Sequence, residues 1–317
     1  VWGFLQAALA DHGEARLAAA VAAQSGRPTL PAWLDPALVD DLPEGPGVYL
    51  FHGENDALLY VGKSNNLRKR VLAHFAGDHA SSREMRLCQQ VRRVDWEETA
   101  GELGALLREA QLVKERQPLL NRRLRRQAQL CSLQLVEDAQ GLLRPQPARA
   151  QDLAGRPRLY GLYASPAAAK KALRELADAH RLCLHALGLE RAAGRACSAR
   201  QLKKCAGLCE GAETPLQHNL RLLQALGAQA LKAWPFPGPV GFVEENVEAG
   251  LQAVHVVDNW CWLGTAQDDD GLADILARPP QHALDRDTYR LLVAALRRRA
   301  RMVPLRAPPG GGWPSPV

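Results

Sequence analysis

The chain has 317 residues, 47% of them hydrophobic, which is the make-up of an ordinary globular protein long enough for several domains with cores of their own. No apolar run approaches the roughly eighteen residues that a membrane span needs, no charged segment precedes an apolar one as in a signal peptide, and the seven cysteines, an odd number, do not read as a secreted disulfide framework, so a cytoplasmic protein is expected, nucleoid-associated if it binds DNA. The net charge of +6 is modest, but the basic residues cluster at 63–70, 122–126, 203–204 and 297–301, a pattern that suits a phosphate backbone as well as a solvated helix face.

In chain order, residues 1–26 read as an Ala-rich helix interrupted by a glycine, and the three prolines of GRPTLPAWLDP read as a linker, so 1–41 is set apart as an N-terminal helix and linker. Residues 46–51 and 57–62 are β-branched and aromatic, and HGEND between them carries turn chemistry, which predicts an antiparallel hairpin. Alternation places Tyr49 and Tyr60 on one face of the sheet and Val48, Leu50 and Val61 on the other. Leu67, Val71 and Phe75 then form an apolar stripe on a basic helix, with Arg70 and His74 four apart beside it. A helix over 82–90, a strand over 91–99 and a helix over 102–116, ended by Pro118, complete this unit.

Downstream, SLQLV and RLYGLY read as strands around a Pro-rich stretch, and Ser165-Pro166 is a helix start with Ser as N-cap. Thr214, Pro215 and Gln217 form a capping-box start for a helix through 231. After WPFPGP, strands are expected at 240–244 and 253–264 and a helix at 285–301, with 304–317 compositionally a disordered tail.

The order GVY, YVGK, NLRKR and then ELGALLREAQLVKERQPLLN resembles the GIY-YIG nuclease superfamily, and within it the UvrC- and Cho-like excision-repair endonucleases. Together with the phrase YGLYAS and its helix, the resemblance covers roughly residues 42–210. The expected fold class is mixed α/β (α+β): a small antiparallel GIY-YIG sheet flanked by helices at 42–127, a helical cysteine-bearing region at 128–233, and a small α/β unit at 234–303. The activity implied is metal-dependent hydrolysis of a DNA phosphodiester bond, by incision on the 3′ side of a lesion in nucleotide excision repair. The partners implied are damaged double-stranded DNA and a UvrB-like damage-recognition protein.

Phosphodiester hydrolysis needs an activated water, a cation for the charge on the phosphoryl oxygens, and stabilisation of the leaving oxygen. Glu109 is a carboxylate able to hold one Mg²⁺ or Mn²⁺ ion, and Arg70 can contact a phosphate through two nitrogens. Tyr49 or Tyr60 would act as a base only if neighbouring cations, Lys63 among them, lowered a phenol pKa of about 10. The resemblance implies that Tyr49 and Tyr60 are the signature tyrosines, Arg70 the catalytic arginine, Glu109 the metal-binding glutamate and Asn121 the active-site asparagine. His74 stands where UvrC usually has a tyrosine, and it would orient water or a phosphate. Taken singly, the tyrosines are also ordinary sheet aromatics, Arg70 a surface charge, Glu109 one face of a solvated helix and Asn121 a turn former. Their joint occurrence in family order carries the active-site reading.

Cys183, Cys197, Cys205 and Cys209 gather within 27 residues, which suits tetrahedral zinc or an iron–sulfur cluster, or else reduced core cysteines. The resemblance implies a 4Fe–4S cluster, while Cys88, Cys131 and Cys261 read as structural. Lys63, Arg68, Lys69, Arg122, Arg123, Arg200, Lys203 and Lys204, with Arg195 nearby, are candidate DNA-backbone contacts. Two further readings stay open: the nuclease half of a replication-linked exonuclease fusion, and a DNA-binding module without enzymatic activity. No second nuclease domain of the RNase H-like type and no helix-hairpin-helix tail stands out, which favours a single incision.

Overall fold

The structure is a computed structural model that describes residues 2–25, 30–31, 33–76, 82–121, 130–149, 158–192, 194–278 and 284–305. Arg122, Arg123 and most of the predicted tail fall outside them. The chain divides into two compact units, residues 1–125 with the 246–251 turn and residues 126–245 with 252–317. Among the described residues, no helix is long and apolar enough to cross a membrane.

The predicted N-terminal helix is two helices, α1 (Trp2–His12) and α2 (Glu14–Ser25), parted at Gly13, whose φ of +74° a glycine adopts without strain. The linker reading holds only in part. Leu34, Leu38 and Leu42 are buried in the core of the first unit, with a short helix α3 (Leu38–Asp41) between them. Trp33 donates to the Val91 carbonyl at 2.6 Å and lies under the Arg92 guanidinium. Three leucines and an anchored indole make this stretch part of the nuclease-like core rather than a spacer.

That core is built on one antiparallel sheet, with β1 (Gly47–His52) between β2 (Leu58–Ser64) and β3 (Arg93–Glu98). The GEND turn closes as a 3₁₀ turn in which Asn55 takes φ +55°, a conformation Asn tolerates. One sheet face carries Tyr49, Phe51 and Tyr60 against α4 (Leu67–Phe75) and α5 (Ser82–Gln90). The other carries Val48, Leu50 and Val61 against Leu112 and Val113 of α6 (Glu102–Arg116). The alternation read from the hairpin is therefore the division between the two cores. Asn66 caps α4 by accepting the Lys69 amide, and Gln117 ends α6 in the left-handed conformation ahead of Pro118.

The second unit opens with a sheet in the order β5 (Leu143–Arg149), β4 (Cys131–Glu137), β6 (Leu159–Tyr163), so the cysteine-bearing region is α+β rather than helical. The Pro-rich stretch is itself strand β5: Pro145 and Pro147 are two apart on an edge strand, so both missing N–H groups fall on the unpaired side. Helix α7 (Pro166–His180) is capped by Ser165, short α8 (Ser198–Gln201) follows Cys197, and α9 (Pro215–Leu226) starts with the full Thr214–Gln217 capping box.

A four-stranded sheet follows in the order β10-β7-β8-β9, made of β7 (Val240–Asn246), β8 (Leu251–Asp258), β9 (Cys261–Ala266) and β10 (Met302–Pro304). The single strand predicted over 253–264 is a hairpin, turned at Asn259 and Trp260 with φ of +49° and +64°. That is the two-residue geometry that matches strand twist. Trp260 fits it because its ring packs on Trp234 and Tyr289 and its Nε1 donates to Lys232 O at 2.8 Å. Helix α10 (Asp269–Ala277), capped by Asp268, and strand β10 were not read from the sequence, whereas α11 (Arg286–Arg297) was.

Candidate active site and thiolate centre

The register of β1 and β2 sets Tyr49 opposite Gly62 and Phe51 opposite Tyr60. A Cβ on residue 62 would collide with the ring and oxygen of Tyr49 and stand 2.8 Å from the ring of Tyr60, so only glycine lets the phenol lie across β2. From α4, His74 brings its Nε2 to 2.8 Å from the Tyr49 hydroxyl, and Tyr60 completes the group with its ring 6.1 Å from Tyr49 and 6.2 Å from His74.

Tyr49 is 1% exposed. Burial, then the neighbouring Tyr60, pushes its pKa well above the ordinary phenol range, and the Arg70 guanidinium bonded to the same oxygen offsets this only in part. Tyr49 therefore stays protonated and shares a hydrogen bond with His74 Nε2, whose direction follows from the imidazole tautomer. The condition for Tyr49 to act as a base is not met, because desolvation outweighs the one guanidinium beside it. His74 is 8% exposed and orients the phenol rather than solvent. Arg70 lies exposed at the rim, its charge favoured first by Tyr49 and last by Glu84.

Glu109 comes from α6 and is half-buried beside the end of β2. Its carboxylate accepts the Lys63 backbone N–H, and burial raises its pKa above the ordinary glutamate range against the opposing charge of Lys63. The Lys63 ammonium itself stands 3.2 Å from Glu102, which lies two turns before Glu109 on α6. A carboxylate that lies at the rim of a polar cluster and is held by one peptide N–H keeps lone pairs for a hard cation.

Other predicted residues are placed differently. The Asn121 carboxamide is fully engaged on the edge of β2, with Nδ2 donating to Val61 O at 2.7 Å and Oδ1 accepting Val61 N–H at 2.9 Å. It closes the sheet edge as a further strand would. Arg68 donates to Leu42 O, Asp40 O and Glu44, so its guanidinium ties α4 to the entering chain. Arg200 is likewise taken, by Glu210 at 2.6 Å and Cys205 O at 3.3 Å. Lys69 and Lys203 are exposed, and among the described residues Lys204 makes an exposed pair with Asp178 at 3.5 Å.

The four sulfurs of Cys183, Cys197, Cys205 and Cys209 lie within 4.8 Å of one another, and the first three residues are buried. Peptide N–H groups point at them: His185 and Ala186 at Cys183, Leu184 and Arg200 at Cys197, and Gly207 at Cys205. Burial pushes the Cys183 thiol to about 11 and that of Cys205 higher. Cys197 goes the other way, since its peptide donors and the neighbouring thiols overcome its burial. Neutral thiols accept hydrogen bonds poorly, so this set of donors fits thiolates neutralised by a metal. Cys88 donates to the His74 carbonyl at 2.8 Å, and Cys131 and Cys261 are buried, as structural residues would be.

Sequence reasoning missed His218 on α9, wholly buried, whose Nε2 accepts the Cys183 N–H at 3.2 Å. Burial lowers its pKa to about 4, so it is the neutral acceptor that holds this loop. A lone histidine in a capped helix carries no sequence signal for such a role. Glu102 was missed for the same reason, while Gly62 was visible as the glycine of YVGK.

The chain matches the UvrC-like GIY-YIG domain over residues 45–122, the UvrC/Cho excinuclease middle domain over 130–228 and the Excinuclease Cho C-terminal domain over 239–309. It is 43% identical to Excinuclease cho of Escherichia coli (strain K12) over 262 residues, covering 82% of this chain and 85% of that protein. The same identity holds with the Salmonella typhi protein over 268 residues, 84% and 87% of the two chains. UvrABC system protein C of Geobacter sp. (strain M21) is 35% identical over 181 residues, 55% of this chain and 27% of that one. Among solved structures, the GIY-YIG N-terminal endonuclease domain of UvrC from Thermotoga maritima, bound to its catalytic magnesium, is 25% identical, with coverage of 26% of this chain and 90% of that one and a TM-score of 0.24. With that identity over more than four-fifths of both chains, and all three domain types in order, this chain belongs to the Cho family of excinucleases and carries a GIY-YIG endonuclease domain.

Proposed function

We propose that this endonuclease makes a single incision on the 3′ side of lesions in duplex DNA delivered by a UvrB-like protein. The observation that carries the site assignment is the meeting of Tyr49, Tyr60, Arg70, His74, Lys63 and Glu109 around β2, over a glycine whose only evident use is to admit the Tyr49 ring.

Glu109 would hold one divalent cation, magnesium being the ion bound in the Thermotoga maritima domain, and that ion would supply Lewis acidity at the scissile phosphate. Arg70, at the rim and already favoured by the Tyr49 oxygen, takes the phosphoryl oxygens through paired nitrogens. Tyr49 serves as a fixed hydrogen-bond donor steadied by His74. Tyr60, half-buried on the same face, would serve as the base only as a phenolate, once its own proton has passed to solvent, and would then take the proton of the attacking water. Lys63 balances Glu102 and Glu109, and Asn121 acts through Val61 as a positioning residue.

The thiolate centre in this proposal carries a 4Fe–4S cluster, as the family resemblance implies. A second reading, zinc, is favoured by the sulfur separations: four thiolates on one tetrahedral zinc stand about 3.8 Å apart, whereas a cubane holds its outer thiolates wider. Iron, sulfide and zinc content per purified chain decides between them.

The test of function is nicking of a duplex with one bulky adduct, with magnesium, with and without UvrB-loaded DNA. Wild type should nick on the 3′ side, and Glu109→Gln and Arg70→Ala should each lose about 10³-fold or more in rate while still binding DNA. Full nicking by Glu109→Gln would remove the carboxylate from the mechanism.

A further inference from the structure

Between Cys197 and Cys205 the chain leaves the thiolate centre, makes the single turn of α8, and returns through Leu202, Lys203 and Lys204. Both ends are pinned, since Cys197 and Cys205 are each wholly buried. The tip between them is also braced from within: Lys204 N–H donates to Ala199 O at 2.7 Å, Arg200 bonds Glu210 and Cys205 O, and Glu190 accepts both the amide and the hydroxyl of Ser198. Lys203 sits at φ +59°, which closes the turn and leaves its neighbour at the apex.

That neighbour is Leu202, 69% exposed. Isolated exposed leucines are common, and exposure alone means little. Its surroundings set it apart. Val247, more exposed at 81%, lies in the turn after β7, flanked by Glu245 and Glu248, which a phosphate backbone repels. Leu202 is followed at once by two lysines whose ammonium groups, among the described residues, are committed to nothing stronger than the exposed pair of Lys204 with Asp178. Such a pair exchanges readily for a phosphate contact. An apolar side chain at the apex of a braced turn, beside cations that grip the backbone, is the arrangement that parts a base step: the lysines fix the depth and the side chain fills the gap.

We propose that Leu202 is an apolar wedge that enters DNA where bases are already unstacked, with Lys203 and Lys204 seated on the flanking phosphates. Its ligand is a distorted or unpaired duplex segment, and the energy it supplies is gained only where unstacking has been met by the distortion. The loop is thereby a discriminator between damaged and regular duplex, separate from the hydrolytic group around Tyr49. This inference rests on the DNA-endonuclease reading.

The full-length chain, metal content measured, is titrated by fluorescence anisotropy onto a regular duplex and onto the same duplex with a short unpaired bubble carrying 2-aminopurine. Wild type should prefer the bubble and raise the 2-aminopurine fluorescence. Leu202→Ala, at an exposed position that leaves the fold intact, should bind regular duplex within about twofold of wild type, lose about tenfold on the bubble and abolish the fluorescence rise. Leu202→Met should restore both. Lys203→Ala with Lys204→Ala should weaken both duplexes and lower the slope of log K against log salt by about 1.8. If Leu202→Ala keeps the bubble preference and the fluorescence rise, the wedge is overturned while the nuclease reading stands. If the wild type binds neither duplex, the wedge is likewise overturned, while the nuclease assignment is tested separately by nicking of UvrB-loaded DNA.

Discussion

At the hairpin, Tyr49 faces Gly62 because β1 and β2 are in register, whereas Cys183, Cys197, Cys205 and Cys209 arrive from irregular turns with no strand between them. The first group is placed by a backbone ladder that exists without any ligand. The second is placed by single peptide N–H groups, one helix and the buried acceptor His218. Regular structure can therefore hold a polar cluster in place with no ligand bound. An irregular loop that buries thiols needs something at its centre to hold it.

The strongest challenge to this contrast is to remove one ligand from each kind of scaffold. Cys183→Ala should empty the thiolate centre and destabilise its sheet and helices by about 3 kcal/mol or more, because the metal's binding energy is also folding energy. Hydrogen exchange should accelerate across residues 131–149 and 215–226 while β1 and β2 stay protected. Glu109→Gln should do the reverse. Burial raises the Glu109 pKa, so the folded state disfavours its charge at neutral pH, and that penalty fades only as the pH falls through the raised value. Removing the charge should leave the hairpin intact and raise the melting temperature by about 1–3 °C at pH 7 while abolishing nicking. Equal exchange in both regions of the Cys183→Ala chain would mean that the centre is not a separate keystone.

Next in size is Gly62→Ala. The added methyl meets the Tyr49 ring, so either the ring or the strand must move, at a cost of about 1–3 kcal/mol. Nicking should fall by about 10²-fold, since a displaced phenol breaks the contact with His74 and Arg70 together. Unchanged rates in Gly62→Ala would show that Tyr49 packs and does nothing more.

What could be read from the sequence follows the same division. The hairpin faces, the Ser165 and Thr214 caps and the end of α6 are local: alternation, capping chemistry and a proline each act within a few residues. The cysteine group was visible because all four members fall in one short stretch. What escaped was tertiary. Nothing near Asn121 announces that its carboxamide will pair with Val61, 60 residues away, and nothing near Trp260 announces the packing that lets an indole sit at φ +64°. Leu34 and Leu38 looked like linker because prolines surround them, and burial alone shows otherwise.

Arg68 and Lys69 give the smallest and most discriminating test, because the sequence treats them as equals in one basic run. Their neighbours separate them: Arg68 donates to two carbonyls and to Glu44, while Lys69 is exposed with only its amide engaged, by the Asn66 cap. Arg68→Ala should therefore cost about 1–2 kcal/mol of stability, leave two carbonyls short of a donor, and keep the salt dependence of DNA binding unchanged. Lys69→Ala should leave stability within about 0.5 kcal/mol and lower the salt slope by about 0.9, the effect of one phosphate contact. The measurements are a urea midpoint and a binding titration across salt for each chain. If the two effects were exchanged, the guanidinium would belong to the DNA surface after all, and its bonds to residues 40–44 would be those of the free protein only.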